Sequence, residues 1–277
     1  MRAATGRGRP ATARVASARV ASRVAAVLAA VLAVAGCGSG SEAGGGAAGP
    51  GGGLSGTVTV FAAASLTESF GTLGKQFEAA HPGVTVRFNF GASSALAESI
   101  AQGAPADVFA SASVKTMDSV VGAGGAAEPR TFAKNVMEIA VPPANPAGVA
   151  ALTDLTKPGL KLALCQEQVP CGATAKQVFD KARLTVRPVT LGADVKAVLT
   201  AVELGEVDAG VVYRTDVQAA GAKVKGIEIP AGQNPSTSYP IATLAKAPNG
   251  AAARAFLDYV LSGAGTRVLT GAGFIAP

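Results

Sequence analysis

Small polar residues stand at three positions where a predicted strand ends and a helix begins. Ser65 follows the strand VTVFAAA, Ser93 follows FNFGA, and Cys171 opens the helix CGATAKQVFDKA. The first turn of a helix presents unpaired N–H groups and the positive end of the helix dipole, so it can hold an anion without lysine or arginine. Each start alone is typical of an ordinary N-cap, and Glu68, three residues after Ser65, predicts a capping box there. The three starts together favour a receptor for an anion.

The same residues give little indication of catalysis. A serine hydrolase needs a general base beside its nucleophile, and the single histidine, His81, falls in the turn His-Pro-Gly. The sequence has no G-x-S-x-G elbow and no G-x-x-x-x-G-K-[ST] phosphate loop. We therefore expect no catalytic residue, and an extracellular hydrolase that uses Ser65 stays open only as a remote alternative.

The elements that position these residues alternate between strand and helix in two series. The first series has predicted strands at 58–62, 84–90, 107–110 and 135–143, and predicted helices at 65–80, 93–103 and 114–124. The second has strands at 161–166, 186–192, 209–214, 226–230 and 238–245, and helices at 171–182, 194–205 and within 253–273. Such alternation predicts mostly parallel sheets with helices on both faces, here as two α/β domains. Ligands of these sheets bind outside the carboxyl ends of the strands, where all three helix starts lie.

Residues 1–36 have the composition of a secretory leader. They contain six arginines and no acidic residue, and they end in an apolar run, 24–34, that is short for a membrane span. The run closes on Val-Ala-Gly-Cys37, which resembles a bacterial lipobox and implies that Cys37 is lipidated after cleavage. Residues 37–56 comprise this cysteine and a Gly/Ser/Ala tether that we expect to be flexible. The sequence thus predicts an extracytoplasmic protein that a lipid on Cys37 anchors to the cell membrane.

The leader also carries the excess positive charge. The chain has 24 Lys and Arg against 18 Asp and Glu, so removal of the six leader arginines leaves 18 residues of each sign. A neutral mature protein offers no electrostatic reason for a nucleic-acid partner.

Two cysteines outside the leader and tether, Cys165 and Cys171, favour a disulfide in an extracellular protein. A metal site is the alternative, but it would need three or four ligands.

Five segments of the chain, taken in order, resemble one protein family. The segments are VTVFAAASLTESF, FGASSALAESIAQGAPADVFASAS, QVPCGATAKQVF, LGADVKAVLTAVELGEVDAGVVYRTD and FLDYVLSGAGTRVLTGAGF. They are similar to the molybdate-binding proteins of bacterial ABC transporters over essentially all of 57–277. The resemblance implies a type II periplasmic-binding-protein fold, in which two domains, each a mixed and mostly parallel sheet flanked by helices, enclose the ligand. The implied boundaries are 57–133 plus 242–277 for domain I and 134–241 for domain II, with linking segments near 131–141 and 236–243.

The resemblance also implies a set of residues that bind a tetrahedral oxyanion through hydroxyls and backbone N–H groups. Carried over motif by motif, the set is Ser65, Ser93, Cys171, Val195 and Tyr213. The second serine could instead be Ser94, one residue later. The family commonly has alanine at the position of Cys171, where the contact is a backbone N–H that cysteine supplies equally well. Val195 would likewise serve through its N–H group, and Tyr213 through its phenolic O–H.

The implied function is the capture of molybdate by closure of the cleft and its delivery to an ABC permease in the membrane. We expect a monomer with no cofactor and no free metal ion, because molybdenum is bound as its oxyanion. Tungstate, sulfate or another tetrahedral oxyanion is the alternative ligand for the same kind of receptor. A purely structural surface lipoprotein is a further alternative from another class.

Overall fold

The computed structural model describes residues 53–277, so the expectations for the leader, for Cys37 and for most of the tether lie outside the described residues. The strands are β1 Gly56–Ala63, β2 Val84–Gly91, β3 Val108–Ala110, β4 Arg130–Asn135, β5 Met137–Val141, β6 Leu162–Cys165, β7 Thr190–Gly192, β8 Ala209–Tyr213, β9 Lys225–Glu228 and β10 Thr237–Thr243. The α-helices are α1 Thr67–Ala80, α2 Ser93–Ala101, α3 Val114–Gly122, α4 Pro170–Ala182, α5 Val195–Glu203, α6 Arg214–Ala220, α7 Gly250–Leu261 and α8 Gly263–Gly271. Short 3-10 turns lie at Ala64–Leu66, Leu152–Thr156 and Gly221–Lys223.

One sheet has the strand order β2-β1-β3-β10-β4, with β1 parallel to β2 and β3, and β10 antiparallel to β3 and β4. Successive residues of a strand point to opposite faces, and both faces of this sheet are buried. Val58 and Val60 pack with Phe70 of α1 on one face, while Phe61 packs with Met117 of α3 on the other. We call this sheet with α1, α2, α3, α7 and α8 lobe 1.

The other sheet has the order β7-β6-β8-β5-β9, with β6 parallel to β7 and β8, and β5 antiparallel to β8 and β9. We call it, with α4, α5 and α6, lobe 2. Helix α5 buries Val195, Val198, Leu199 and Val202, the i, i+3, i+4, i+7 stripe of an amphipathic helix. A Cβ on Gly210 of β8 would lie 2.8 Å from Val198 and Val202, so this glycine lets α5 approach the sheet closely.

The chain passes between the two sheets twice. It leaves lobe 1 where β4 ends at Asn135 and enters lobe 2 where β5 begins at Met137, and it returns between Glu228 and Thr237. Asn234 on the return segment holds the two crossings together, because it accepts a 3.0 Å hydrogen bond from the Met137 N–H and donates a 2.7 Å bond to the Met137 carbonyl. The two lobes therefore meet at a pair of adjacent crossing segments.

Two expectations for the elements are wrong. The segment 135–143, predicted as one strand, holds only the last residue of β4 and then the whole of β5, which belongs to the other sheet; the rest of β4, 130–134, was not predicted as a strand. Alternation of residue types does not show where a chain changes sheet. The helix Arg214–Ala220 was missed, since the predicted strand 209–214 ran into its first residue. The expected class, two mixed sheets flanked by helices, is confirmed. Each sheet has two parallel and two antiparallel pairs of strands, however, so the sheets are not mostly parallel as expected. No helix in the part of the chain described, 53–277, is long and apolar enough to span a membrane.

Candidate functional site

The five residues predicted to bind the ligand line one small pocket between the lobes. Its volume is about 20 Å³, which suits a compact group rather than an extended one. The predicted residues Ser65, Ser93, Cys171, Val195 and Tyr213 are joined in the lining by Ala63, Ala64, Gly91, Ala92, Ala112, Val169, Pro170 and Asp194. Ser94 lines a separate, larger cavity of about 690 Å³, so the structure brings Ser93 and not Ser94 to the pocket.

The pocket lies where strands of both lobes end. Strands β1 and β2 end at Ala63 and Gly91 in lobe 1, and β6 and β8 end at Cys165 and Tyr213 in lobe 2. The residues after β1 and β2 are alanines, so little side chain stands between the pocket and the backbone there. This arrangement leaves backbone N–H groups accessible to a ligand.

Ser65 does not cap a helix, so the predicted capping box is wrong. The residue lies in the 3-10 turn Ala64–Leu66, and α1 begins at Thr67 without a side-chain cap. The Ser65 Oγ instead lies 2.9 Å from the hydroxyl of Tyr239 in β10. Glu68 reaches across to Lys196 of lobe 2 rather than back to the Ser65 N–H. Tertiary partners thus replace the local pairing that the spacing suggested.

Ser93 is the first residue of α2, after an Ala92 that offers no side-chain cap. The Ser93 Oγ accepts a 3.0 Å hydrogen bond from the backbone N–H of Ala112, just beyond β3. A hydroxyl has one proton to donate. Because its oxygen accepts from a group that can only donate, Ser93 keeps that proton for another acceptor.

The start of α4 is held tightly against the end of β6. Cys165 and Cys171 form a disulfide with a Cα–Cα distance of 5.8 Å, so the predicted bond is confirmed. A Cβ on Gly172 would collide with the carbonyl oxygen of Gln166, and only glycine allows this approach. Pro170, which has no N–H, occupies the first position of the helix. The first free N–H of this helix start belongs to Cys171.

Val195 begins α5 directly after Asp194, whose side chain caps the helix by accepting a 3.0 Å hydrogen bond from the Ala197 N–H. The Val195 side chain is buried in the core of lobe 2. Only the backbone of Val195 is therefore polar, and its N–H is one of the first-turn groups that lack a partner within the helix.

Tyr213 ends β8, and its hydroxyl is buried with no hydrogen-bond partner among residues 53–277. Burial raises the pKa of this phenol well above its ordinary value, and the neighbouring hydroxyls of Thr174 and Tyr239 oppose the shift. The hydroxyl is therefore a neutral donor. An unsatisfied buried polar group costs about 1–3 kcal/mol, so this hydroxyl points to a ligand that accepts its hydrogen bond.

Charged groups stand beside the pocket rather than in its donor set. Lys196 of α5 places its Nζ 2.9 Å from both carboxylate oxygens of Glu68 in lobe 1 and 3.1 Å from Asp216 Oδ1 in α6. The other oxygen of Asp216 accepts from the Tyr213 N–H at 3.2 Å. Burial raises the pKa of Asp216 to about 6, although Lys196 opposes this. Burial alone would lower the pKa of Lys196, but Asp216 and Glu68 outweigh it, and the net shift is upward.

Sequence reasoning missed three residues that organise the site: Tyr239, Lys196 and Asp216. Tyr239 touches Ser65 across 174 positions of the chain, and Lys196 touches Glu68 across 128. No local pattern links residues so far apart. The one available signal was that Glu68 and Lys196 lie within a few residues of predicted ligand positions.

Comparisons with known proteins agree with the fold. The family described as bacterial extracellular solute-binding protein matches residues 58–275. The molybdate-binding protein ModA of Mycobacterium tuberculosis is 42% identical over 222 residues, which are 80% of this chain and 85% of that protein. The ModA of Escherichia coli is 35% identical over 220 residues, 74% of this chain and 83% of that protein.

Among solved structures, the periplasmic molybdate-binding protein of Azotobacter vinelandii matches with a TM-score of 0.72. The match covers 79% of this chain and 99% of that chain at 21% identity, so it bears on the fold alone. The expected type II periplasmic-binding-protein fold is confirmed.

Proposed function

This chain belongs to the family of bacterial extracellular solute-binding proteins, and we propose that it captures molybdate between its lobes and delivers it to an ABC permease. The observation that carries the proposal is the convergence of Ser65, Ser93, Cys171, Val195 and Tyr213 on one small interlobe pocket. The names of the Mycobacterium tuberculosis and Escherichia coli relatives support molybdate as the ligand.

The chemistry of the pocket suits a small anion that carries no proton. We assign the hydroxyls of Ser65, Ser93 and Tyr213 and the N–H groups of Cys171 and Val195 as donors to its oxygens. Neither lysine nor arginine is among the residues that line the pocket, so dipoles and hydrogen bonds would hold the charge. A fixed set of neutral donors favours a ligand by its radius and tetrahedral geometry.

We propose that binding and closure of the cleft are one event. Lobe 1 supplies Ser65 and Ser93, and lobe 2 supplies Cys171, Val195 and Tyr213, so the full donor set assembles only when the lobes meet. The two crossing segments are the natural hinge, and closure excludes water from the pocket. The closed, liganded form would then dock on the permease.

For location, we propose that a lipid on Cys37 anchors the protein outside the cytoplasmic membrane and that it acts as a monomer. The basic leader, the apolar run and the Val-Ala-Gly-Cys ending support the anchor.

We propose no enzymatic activity for this site. His81 packs against Phe77 at a ring distance of 4.4 Å, at the far end of α1 from Ser65. A helix of 14 residues is about 20 Å long, which places the imidazole far from any role as a base for Ser65.

The proposal is tested by thermal unfolding of the protein with a panel of oxyanions. We expect molybdate to raise the melting temperature, since a ligand at a hundred times its Kd stabilises the native state by about 2.7 kcal/mol. Competition among molybdate, tungstate and sulfate would show which of these ions the pocket prefers. No shift with molybdate at millimolar concentration would refute the proposed ligand.

A matched pair of serine variants tests whether molybdate binds in the pocket. Ser93→Ala removes a proposed donor, and we expect it to weaken molybdate binding at least tenfold in calorimetry. Ser99→Ala is the control, because Ser99 lies in the same helix and its hydroxyl only donates to the Ala95 carbonyl at 2.9 Å. Equal affinities for the two variants would argue against Ser93 as a ligand.

A further inference from the structure

We infer that Tyr239 is a positioning residue that turns the Ser65 hydroxyl into a fixed donor toward the pocket. The inference rests on the proposed function, because it assumes that Ser65 contacts a bound oxyanion. It adds a residue outside the predicted ligand set and a reason why a proton on the ligand would weaken binding.

Asn135, the last residue of β4, determines which groups donate and which accept in the hydrogen bonds around Tyr239. Its Oδ1 accepts a 3.0 Å hydrogen bond from the Val136 N–H, and this fixes which side of the amide carries the oxygen. Its Nδ2 therefore faces the other way, where it donates to Thr215 Oγ1 at 2.9 Å and to the Tyr239 hydroxyl at 3.5 Å. Asn135 is fully buried, so these protein groups are what hold its amide.

The Tyr239 hydroxyl accepts on one side and donates on the other. An amide NH₂ group has no acceptor, so the phenolic oxygen must accept from Asn135. Of its two hydrogen-bonded neighbours among residues 53–277, only the Ser65 Oγ, at 2.9 Å, can accept, so the single phenolic proton is directed there. The Tyr213 ring lies 5.9 Å away between centroids, but its hydroxyl forms no hydrogen bond with Tyr239. Burial also raises the pKa of Tyr239, so the proton stays on the phenol.

Ser65 is thereby left with its own proton free. Its oxygen is occupied by the Tyr239 hydroxyl, and its O–H bond can rotate toward an acceptor in the pocket that it lines. Ser93 reaches the same state by another route, because its oxygen accepts the Ala112 N–H. Both serines are thus set as donors before a ligand arrives, one by the backbone and one by a buried tyrosine.

A hydroxyl that can only donate discriminates between oxyanions by their protonation. An unprotonated oxygen accepts the Ser65 proton, whereas a P–OH group of hydrogenphosphate would meet a second proton there. Asp194 is the one carboxylate among the lining residues, and one of its two oxygens, Oδ1, already accepts from the Ala197 N–H to cap α5. The Asn135, Tyr239 and Ser65 chain should therefore favour fully ionised tetrahedral dianions over protonated ones.

The test is a double-variant cycle on molybdate affinity, measured by calorimetry on the full protein. Tyr239→Phe keeps the ring and removes the hydroxyl, and we expect about a tenfold loss of affinity. In a Ser65→Ala background the same change should alter affinity less than twofold, because Tyr239 acts only through Ser65. Tyr259→Phe is the control, since Tyr259 donates its exposed hydroxyl to Gln76 in lobe 1 and should bind like the unaltered protein.

The selectivity between molybdate and hydrogenphosphate is a second readout. It would not change if Tyr239 only packed against its neighbours. The ratio of molybdate to hydrogenphosphate affinity should fall in Tyr239→Phe, because the freed Ser65 hydroxyl can then accept as well as donate. An equal loss from Tyr239→Phe with and without Ser65, or an unchanged ratio, would overturn the inference. The proposed function would survive either result.

The two proposals fail in different ways. If the unaltered protein binds another oxyanion of the panel but not molybdate, the proposed ligand is wrong and the same cycle is run with the ion that binds. If it binds none of them, both proposals are overturned. If it binds molybdate and Tyr239→Phe binds equally well, the inference on Tyr239 alone is overturned.

Discussion

Hydroxyl groups and backbone N–H groups are the proposed donors of the pocket, while Glu68, Asp216 and Lys196 beside it are paired with one another. Asp216 is the most constrained of these residues, because it is fully buried and still accepts from the Tyr213 N–H while lying 3.1 Å from the Lys196 Nζ. Burial raises its pKa from 3.8 to about 6, against the opposing effect of Lys196. At this scale the chemistry of the site depends on neutral donors whose orientation buried neighbours control.

The shift in Asp216 predicts a pH dependence of stability. Its carboxyl binds a proton more tightly in the folded state, so its contribution to the free energy of unfolding is complete below pH 3.8 and is lost as the pH rises to about 6. The size of this loss is up to about 3 kcal/mol. In Asp216→Asn this dependence disappears, so the stability of the variant relative to the unaltered protein should rise across that range. Denaturant unfolding at several pH values measures it.

Asp180→Asn serves as the matched control for that measurement. Asp180 lies exposed on α4 in a pair with Lys176, so its replacement should leave the shape of the profile unchanged. A stability difference between Asp216→Asn and the unaltered protein that stays constant from pH 4 to 7 would contradict the prediction.

Helix starts are the elements that build the pocket, and each is held by a different device. The 3-10 turn before α1 carries Ser65, Asp194 caps α5, and the Cys165–Cys171 disulfide with Gly172 fixes α4 against β6. The common requirement is a close approach of backbone to backbone at the ends of the strands. Small residues and short connections satisfy it.

Gly172→Ala should disturb the start of α4 and the pocket together. The added Cβ would collide with the Gln166 carbonyl, so the helix must move away and take the Cys171 N–H with it. We expect a loss of stability of about 1–3 kcal/mol and weaker molybdate binding, measured by thermal unfolding and calorimetry. Gly71→Ala is the control, because a Cβ there meets nothing within 4 Å in the middle of α1. It should be neutral or stabilising.

Across the whole molecule, the closed arrangement is supported by a contact that neither lobe could make alone. Glu68 belongs to lobe 1 and Lys196 to lobe 2, and both lie close in sequence to residues of the pocket. The pair therefore forms only when the donor sets of the two lobes have come together. Half of the Glu68 side chain is exposed, so the pair adds at most about 1 kcal/mol.

Glu68→Gln separates two effects of opposite sign. Loss of the contact between lobes should weaken molybdate binding, whereas loss of a negative charge near the anion should strengthen it. We expect closure to dominate, with affinity about threefold lower and a larger radius of gyration in X-ray scattering without ligand. Glu203→Gln, which removes a 3.7 Å pair with Lys223 inside lobe 2, should change neither quantity. Tighter binding by Glu68→Gln would contradict a role in closure.

Much of the protein could be predicted from local patterns. Alternating strands and helices indicated two α/β units, and helix starts after strands named Ser65, Ser93 and Cys171. The family resemblance added Val195 and Tyr213, and the fold brings all five residues to one pocket. The fold was predictable because periodicity, helix starts and strand ends depend on residues near one another in the chain.

The tertiary structure alone decided how those residues are oriented. The sequence suggested that Glu68 would cap the helix at Ser65, but Glu68 pairs with Lys196 and Ser65 with Tyr239. It also suggested one strand over 135–143, where the chain in fact crosses between sheets beside Asn135. The directions of hydroxyl protons and the pairing of charges depend on groups that are adjacent only after folding. Local sequence and the family resemblance therefore indicated which residues line the pocket, whereas contacts between residues far apart in the chain decided how the Ser65 and Ser93 hydroxyls are engaged.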